Sequence, residues 1–379
     1  MTLFVLTFFA IYGGMHIYAF FRARSAFGFG AGTGVALAAF MIVMTFSLFL
    51  VRTLEYHAYE LPARALAYIA YFWMAALFLF CCGSLVLDFV SLLTRTAGWI
   101  TRADISSYLL SAKTSLLISL GLALASSLYG YFEALDIRTE RLRIETTKLP
   151  AGVDKITIAQ ISDVHLGLII RGKRLGPMLK AVKDAKPDIF VVTGDLVDAQ
   201  INHLPGLAGM LREVTARYGK FAIMGNHEYY AGPEKSRAFI KEAGLTLLRD
   251  EAAAAGPIMI VGADDRTAAQ LKQRKPTPEK ELLTKIPRDK FILFLKHQPR
   301  IDRASLGLFD LQLSGHAHGG QIFPFMYLTR IPYPMNAGRY DLGKGSVLYV
   351  NRGTGTWGPP IRFLSPPEVT VIELVRKNL

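Results

Sequence analysis

The sequence predicts an α/β domain with a mixed sheet, preceded by a membrane region of four helices. Two observations predict this class. In the first third of the chain, four long stretches contain no Lys, Arg, Asp or Glu. From residue 156 onward, short runs rich in Ile, Val and Phe alternate with amphipathic runs, which is typical of βαβ units. The chain of 379 residues is long enough for one large domain and an accessory region.

Each of the four uncharged stretches is long enough to cross a membrane as a helix, which takes about 20 predominantly apolar residues. A single leading stretch would also fit a secretory signal peptide, but four stretches exclude that interpretation. We therefore predict a transmembrane region over residues 1–135, with helices at about 1–21, 30–51, 65–90 and 113–132. The stretches are Met1–Phe21, Ser25–Val51, Ala65–Leu87 and Thr114–Phe132.

The basic residues of the connections indicate an orientation for these helices. The first and third connections carry five Lys or Arg residues, whereas the second carries two, with Glu55 and Glu60 beside them. The positive-inside rule then places the first and third connections in the cytoplasm and the following domain outside it. The basic segment Arg138–Lys148 opposes this assignment, so the expectation of an extracytoplasmic domain depends on the bias of five against two.

Residues 136–155 are polar and charged and include Pro150 and Gly152, so we expect a juxtamembrane linker or strand there. The large domain is predicted over residues 156–379, where the last two strand-like runs lack clear helical partners and indicate a mixed sheet. The stretch Gln270–Pro287 is expected to form an exposed helix or loop. The predicted strands are Ile156–Ile161, Ile189–Thr193, Phe221–Met224, Phe291–Leu295, Leu311–Leu313, Ser346–Val350 and Val369–Leu374. The predicted helices are Arg174–Ala185, Leu204–Arg217 and Pro233–Ala243.

The formal net charge of +13 is concentrated in the second part of the chain, where residues 136–379 carry a surplus of +11. A basic domain favours anionic partners such as phosphate esters, nucleic acid or acidic lipid headgroups, and a solvated basic surface explains the charge equally well. The two cysteines, Cys81 and Cys82, are adjacent within an apolar run. Neighbouring helical residues point in different directions, so neither a disulfide nor a CxxC site is expected.

Polar clusters directly follow five of the predicted strands. The carboxyl ends of neighbouring strands in an open α/β sheet share one edge, where ligands bind. Seven Asp, Asn and His side chains are therefore expected to converge on one site. Mixed imidazole, carboxylate and amide donors suit manganese, iron or zinc better than calcium, so we predict a pair of divalent transition metals. The seven residues are Asp163, His165, Asp195, Asn226, His297, His316 and His318.

The order of these clusters resembles the calcineurin-like metallophosphoesterase superfamily. The motifs are DxH at 163–165, GD at 194–195, GNHE at 225–228, a lone His at 297 and GHxH at 315–318. The tail Asn351–Gly358, together with Gly319-Gly320-Gln321, looks like the membrane-linked bacterial branch of that superfamily. The resemblance implies a four-layer α/β/β/α sandwich over residues 156–379 and a multi-pass protein of the bacterial cell or inner membrane.

The resemblance also implies a role for each site residue. Asp195 would bridge the two metals, and His227 would contact a phosphoryl oxygen and assist the leaving group. A hydroxide activated by both metals would hydrolyse a phosphoric mono- or diester, with lipid-linked and sugar-nucleotide phosphates among the candidates. No protein partner is implied. The first metal would be held by Asp163, His165 and His318, and the second by Asn226, His297 and His316.

Two alternatives from other functional classes remain open at this point. The helices could form a sensor or transporter with a regulatory metal-binding domain, although His16 and Asp88 are the only evident ionisable candidates within the spans. We expect a structural role for His16. A nucleic-acid substrate fits the basic charge, but no basic stripe interleaved with aromatic residues supports it.

Further residues near the clusters have two interpretations each. The basic residues of Arg171–Arg174 could bind the anionic end of a substrate or begin a solvated helix. Arg352 and Trp357 could line the site entrance or pack a Gly-rich loop. Glu228 is expected to cap the segment that follows the GNHE motif.

Overall fold

The computed structural model of the protein describes residues 2–198, 204 and 206–377. Contacts divide the chain into two units. The first comprises Met1–Phe132 and Pro359–Ile361, and the second comprises Glu133–Gly358 and Arg362–Leu379. The apolar helices of the first third are therefore a unit apart from the mixed α/β domain.

Four long apolar helices make up most of the described part of the first unit, as predicted. All four are long and apolar enough to cross a membrane. The third has 42 residues, which is about 63 Å, against about 30 Å for the hydrocarbon core of a bilayer. It is longer than the predicted helix at 65–90 because apolar residues continue beyond Asp88. The helices are α1 (Thr2–Phe27), α2 (Ala31–Tyr56), α3 (Glu60–Thr101) and α4 (Ala112–Glu133).

The ionisable candidates within these helices are bonded to neighbouring helices. Trp73 Nε1 of α3 donates to His16 Nε2 of α1 at 2.9 Å. Arg22 Nη1 and the Tyr18 hydroxyl each donate to the Asp88 carboxylate at 2.6 Å. Polar groups in an apolar environment need such partners, and bonds between helices stabilise their packing. His16 and Asp88 therefore both serve to hold helices together, as expected for His16.

The second unit is built on two six-stranded mixed sheets, in agreement with the predicted fold class. The strands are β1 (Arg138–Thr146), β2 (Lys155–Ile161), β3 (Ile189–Thr193), β4 (Lys220–Ile223), β5 (Thr246–Leu247), β6 (Glu251–Ala255), β7 (Ile258–Gly262), β8 (Phe291–Leu295), β9 (Leu311–Ser314), β10 (Gly338–Gly343), β11 (Ser346–Val350) and β12 (Glu368–Arg376). The sheet orders are β1-β12-β2-β3-β4-β5 and β10-β11-β9-β8-β7-β6. The runs β2-β3-β4-β5 and β7-β8-β9 are parallel, so their carboxyl ends meet at common edges.

The main core lies between the two sheets. Strand β8 shows how alternation builds it: Phe291, Leu293 and Leu295 belong to the core that both sheets share. The intervening Ile292 and Phe294 belong to a second cluster, together with residues of a short helix on the other face. Successive side chains of a strand point to opposite faces, so a strand that is buried on both faces contributes to two clusters.

Helices cover the outer faces and complete the four-layer α/β/β/α arrangement. On the second sheet, Leu282 and Leu283 of α10 pack in the cluster with Ile292 and Phe294. The helix α5 buries four apolar residues at the spacing of one helical face, namely Leu175, Met178, Leu179 and Val182. The helices of this unit are α5 (Gly172–Asp184), α6 (Leu207–Arg212), α7 (Asn226–Ala231), α8 (Pro233–Glu242), α9 (Thr267–Gln270), α10 (Glu279–Thr284) and α11 (Met326–Thr329).

The segment 136–155, for which a linker or strand was expected, contains β1 and is part of the sheet. Strand β1 pairs in parallel with β12 from Arg138 to Thr146. Leu142 and Ile144 point into the shared core, which explains why this charged segment is ordered as a strand. The helix predicted at Leu204–Arg217 is shorter, since α6 ends at Arg212. The stretch Gln270–Pro287 holds α10, in agreement with the expected helix or loop, but it is not exposed throughout, since Leu282 and Leu283 are buried.

We predict that Leu293→Ala destabilises the second unit, because Leu293 is fully buried between the sheets. Replacing such a leucine typically costs about 2–5 kcal/mol in free energy of unfolding. Leu271→Ala is the matched control, since that side chain is 42% exposed and its truncation should leave stability nearly unchanged. Thermal unfolding of the detergent-purified chain, followed by circular dichroism, measures both. Equal unfolding temperatures for the two variants would contradict this account of the core.

Candidate metal centre

Five segments that directly follow strand carboxyl ends carry all eight predicted site residues. In the first sheet, the loops after β2 and β3 carry Asp163, His165 and Asp195, and the first turn of α7, after β4, carries Asn226 and His227. In the second sheet, the loops after β8 and β9 carry His297, and then His316 and His318. Contacts between the sheets join these loops, since the His316 amide donates to both oxygens of Asp163 at 2.9 and 3.0 Å. Both sheets therefore contribute to one site.

Side-chain donor atoms of the predicted ligands gather in overlapping groups. One group is Asp163, His165 and His318, and another is Asp195, His297 and His316, with ligand atoms within 4.8 Å of one another in each. A third group joins His165, Asp195 and His227. The Asn226 Oδ1 atom lies 3.2 Å from His297 Nε2 and so adjoins the second group. The structure brings all seven predicted metal ligands together.

Ring nitrogens face one another inside these groups. His165 Nε2 lies 3.1 Å from His318 Nε2, and His316 Nδ1 lies 3.2 Å from His297 Nε2. A neutral imidazole presents one donor and one acceptor nitrogen. Paired nitrogens that converge with carboxylate oxygens are the donor chemistry of a transition-metal site. The residues present therefore fit two divalent cations.

Asp195 belongs to the second group and also faces the first. Its Oδ2 atom is 3.1 Å from His297 Nε2 and 4.0 Å from His165 Nε2, so it faces a member of each group. Its Oδ1 accepts the His227 backbone N–H at 2.9 Å. The carboxylate is almost fully buried. A shared buried carboxylate is what a pair of adjacent cations requires as a bridge.

Glu228 joins the start of α7, which carries Asn226, to the loop that carries Asp195. Its carboxylate accepts the Gly225 N–H at 2.6 Å and so caps α7, as expected from the sequence. It also accepts the N–H groups of Asp195 at 2.9 Å and Val197 at 3.1 Å, which sequence reasoning did not anticipate. One fully buried side chain thus holds two site loops in register.

The electrostatics of the site reflect an excess of carboxylate charge. Burial lowers the pKa of His227, but Asp195 and Asp198 outweigh burial and raise this pKa to about 9. Burial also lowers the pKa of His297, and Asp195 raises it well above its ordinary value. Burial raises the pKa of Asp195, yet His297 and His227 hold it well below its ordinary value. Protons on His227 and His297 therefore offset the negative charge of the carboxylates. Bound divalent cations would offset that charge in their place.

His316 and His318 have the opposite shift. Burial, with the nearby His297, lowers the pKa of His316 to about 3. Burial, with His165 and Arg362, lowers the pKa of His318 well below its ordinary value. Both rings are therefore neutral near pH 7, and the neutral imidazole is the form that binds metals.

His227 lies at the open side of the site. Its side chain is 13% exposed, and its Nδ1 lies 2.9 Å from the Asp198 carbonyl oxygen and 3.0 Å from Asp198 Oδ1. Trp357 and Tyr230 place their rings 5.8 and 5.5 Å from the imidazole. Trp357 is half-exposed and so lines the entrance, which was one of its two predicted roles. Asp198 was missed because an Asp three residues after Asp195 belongs to no motif.

Two arginines behind the site have structural roles. Arg352 bonds Glu368 of β12 and Glu140 of β1, so it packs the Gly-rich loop rather than lining the entrance. Arg362 is fully buried, and its Nη2 lies 3.2 Å from His318 Nδ1 while donating to the Gly355 carbonyl at 2.6 Å. Arg362 therefore holds the His318 ring from behind. No motif marks it, because its role comes from a contact across 44 residues.

Comparison with known proteins identifies the family. The calcineurin-like phosphoesterase family model matches residues 156–320. An uncharacterized metallophosphoesterase of Aquifex aeolicus is 40% identical over 66% of this chain and 96% of its own length. A transmembrane protein with metallophosphoesterase domain from Danio rerio is 31% identical over 62% of this chain, but this chain spans only 56% of that protein. A solved structure of a 5'-nucleotidase precursor from Thermus thermophilus matches with a TM-score of 0.33 at 17% identity. The match covers 58% of this chain and 54% of that chain, and it carries no weight in the assignment.

The two-sheet sandwich with Asp, Asn and His side chains at its strand ends is a metallophosphoesterase domain. The chain belongs to the calcineurin-like phosphoesterase family.

We predict that Gly315→Ala disrupts the metal centre. A Cβ at this position would lie 2.0 Å from Ser162 Oγ and 2.1 Å from Asp163 Oδ2, so the Asp163 carboxylate would have to move. Gly209→Ala in α6 is the matched control, because a Cβ there has no heavy atom within 4 Å. We expect Gly315→Ala to bind less manganese than wild type, and Gly209→Ala to bind the same amount, by elemental analysis. Equal manganese content in both variants would contradict the close packing of Asp163.

Proposed function

We propose that this protein is a membrane-bound, metal-dependent phosphoesterase that hydrolyses a phosphoric mono- or diester with two divalent metal ions. The observation that carries the proposal is the buried Asp195 carboxylate, which faces His297 of one donor group and His165 of the other. The family supports hydrolysis of a phosphoester, and the basic surplus of the domain suits an anionic substrate.

The ligand assignment that the family resemblance implies agrees with two of the donor groups. Asp195 would be shared by both ions. When bound, two cations such as manganese, iron or zinc would lower the pKa of water to supply hydroxide and would offset charge on the phosphoryl group. The first ion would be held by Asp163, His165 and His318, and the second by Asn226, His297 and His316.

The chain itself supplies positioning and a proton donor. Asp198 engages Nδ1 of His227, so Nε2 is the nitrogen that can reach a substrate oxygen. From there His227 would contact a phosphoryl oxygen and donate a proton to the leaving oxygen. Asp198 orients the ring and supports its protonated form. Trp357 and Tyr230 flank the imidazole, so a leaving group would pass between these rings.

We further propose that the four apolar helices span a bacterial inner membrane and that the catalytic domain lies outside the cytoplasm. The length and composition of the helices support spanning, and a relative named as a transmembrane protein agrees with it. The bias of basic residues toward the first and third connections supports this orientation. A substrate with a lipid or a sugar nucleotide on its phosphate would be accessible to an enzyme fixed in this position.

We predict different losses for the two central residues. His227→Ala should keep the wild-type metal content and lose about 10²- to 10⁴-fold in turnover of bis-p-nitrophenyl phosphate, the range for a general acid. Asp195→Ala should lose metal as well as turnover, because it removes the shared ligand. Metal analysis and hydrolysis of detergent-purified protein measure both properties. Wild-type turnover in His227→Ala would rule out the leaving-group role. An absence of turnover in the wild type under every divalent supplement would favour a regulatory domain on a sensor or transporter.

The orientation has a separate test. In a Cys81→Ser, Cys82→Ser background, Asp289→Cys places one thiol in an exposed turn of the domain. We expect a membrane-impermeant maleimide to label it in intact spheroplasts as fully as in lysed ones. Labelling only after lysis would place the domain in the cytoplasm and contradict the positive-inside assignment.

A further inference from the structure

An exposed apolar loop adjoins the metal centre. The loop Phe325–Ile331 follows the GHAHGGQ segment and includes α11. Among described residues from β1 onward, eight large apolar side chains are exposed, and four of these lie in this loop of seven residues. Their exposures are 43% for Phe325, 58% for Tyr327, 55% for Leu328 and 77% for Ile331. Single exposed apolar residues are common, but a contiguous exposed group usually marks an interaction surface.

This apolar loop is ordered and anchored to the site. Its backbone forms a helical turn, in which the Thr329 N–H donates to the Phe325 carbonyl at 3.1 Å. Gly320 packs against it so closely that a Cβ there would lie 2.3 Å from Met326 Cα. Just beyond the loop, Tyr333 places its ring 4.8 Å from the ring of the predicted ligand His316. The loop is therefore held in place beside the metal centre while its tip is exposed.

The composition of the loop suits the interface of a bilayer. Phe, Tyr, Leu and Ile side chains of the loop lie near the exposed Arg330 in sequence. Arg330 can bury its aliphatic stem in apolar surroundings and place its charge among headgroup phosphates. Apolar and aromatic residues beside basic ones are typical of segments that insert shallowly into membranes. The surplus of +11 on residues 136–379 also favours association with an anionic membrane surface.

The connectivity of the chain keeps a bilayer within reach of the domain. α4, which is apolar and long enough to cross a membrane, ends at Glu133, and β1 begins at Arg138. The four residues between them span at most about 14 Å when fully extended. A bilayer crossed by α4 would therefore lie close to the start of β1.

We infer that the apolar loop inserts into the bilayer beside the metal centre, so that the enzyme acts on phosphoesters whose acyl chains stay in the membrane. The substrate statement rests on the proposed phosphoesterase activity, whereas insertion of the loop rests only on the proposed membrane span of α4. The loop would hold the centre at headgroup depth, where the phosphate of an acylated ester lies.

Insertion is tested by spin labelling of the full chain in nanodiscs, without reference to activity. In a Cys81→Ser, Cys82→Ser background, Leu328→Cys carries the label, and Asp289→Cys in an exposed turn is the control. We expect the ratio of collision rates with oxygen and with a water-soluble nickel chelate to be several-fold higher at residue 328 than at 289. Equal ratios would overturn insertion. Protection of residue 328 from both reagents would also overturn it, because it would indicate a covering protein or a second copy.

The substrate class is tested with two probes that share a leaving group. Phosphatidyl-p-nitrophenol in nanodiscs is acylated, whereas bis-p-nitrophenyl phosphate is soluble. In both reactions the water oxygen forms a new bond to phosphorus, and the bond between phosphorus and the p-nitrophenyl oxygen breaks. That oxygen takes up a proton from the water, and p-nitrophenol is released. We expect Leu328→Asp, Ile331→Asp to lose at least about tenfold in turnover of the acylated probe, the effect of burying one leucine, and to keep turnover of the soluble probe. Leu271→Asp, at a side chain 42% exposed, is the control and should keep both.

The outcomes separate the two claims. If the wild type hydrolyses neither probe, the proposed function is contradicted. The spin-label measurement then tests insertion of the loop independently of activity. Wild-type protein that hydrolyses the soluble probe alone, or loop variants that keep full turnover of the acylated probe, would overturn the acylated substrate class while leaving the phosphoesterase intact.

Discussion

The architecture of the second unit depends on holding two buried carboxylates and four imidazole rings within a few ångströms of one another. Asp163 and Asp195 are almost fully buried, and ring nitrogens approach each other at 3.1 and 3.2 Å. Unpaired buried charge costs free energy unless a countercharge is present. Protonation of His227 and His297 supplies part of that countercharge, as their raised pKa values indicate. Divalent cations would supply the rest, and so the site is built for a ligand that completes it.

The backbone is strained at the same positions. Five non-glycine site residues adopt left-handed φ values: Asp163 (52°), His165 (55°), Asp195 (50°), His316 (70°) and His318 (51°). Each such residue costs about 1–2 kcal/mol relative to an ordinary conformation. The core between the two sheets and the three backbone bonds to Glu228 keep the loops in place. Strain of this kind, concentrated where side chains converge, is typical of functional sites.

Sequence reasoning located the site because its motifs and strands support each other. The strands Ile189–Thr193 and Phe291–Leu295 have the predicted bounds, since a continuous apolar run ends at a turn in each. Strand β1 was harder to predict, because its exposed face is charged and only Leu142 and Ile144 are apolar and buried. Strand β6 was missed because its alanines are weak strand formers. Asp198 and Arg362 act through contacts that only the folded chain creates, so no local pattern could show them.

The central claim is that one chain holds two divalent ions that share Asp195. The most direct measurement is a Mn²⁺ titration of chelator-stripped, detergent-purified protein, followed by electron paramagnetic resonance. We predict about two bound ions per chain, with the spin–spin coupling expected of ions about 3.5–4 Å apart. Binding of one ion or none, or of two uncoupled ions, would contradict the shared carboxylate.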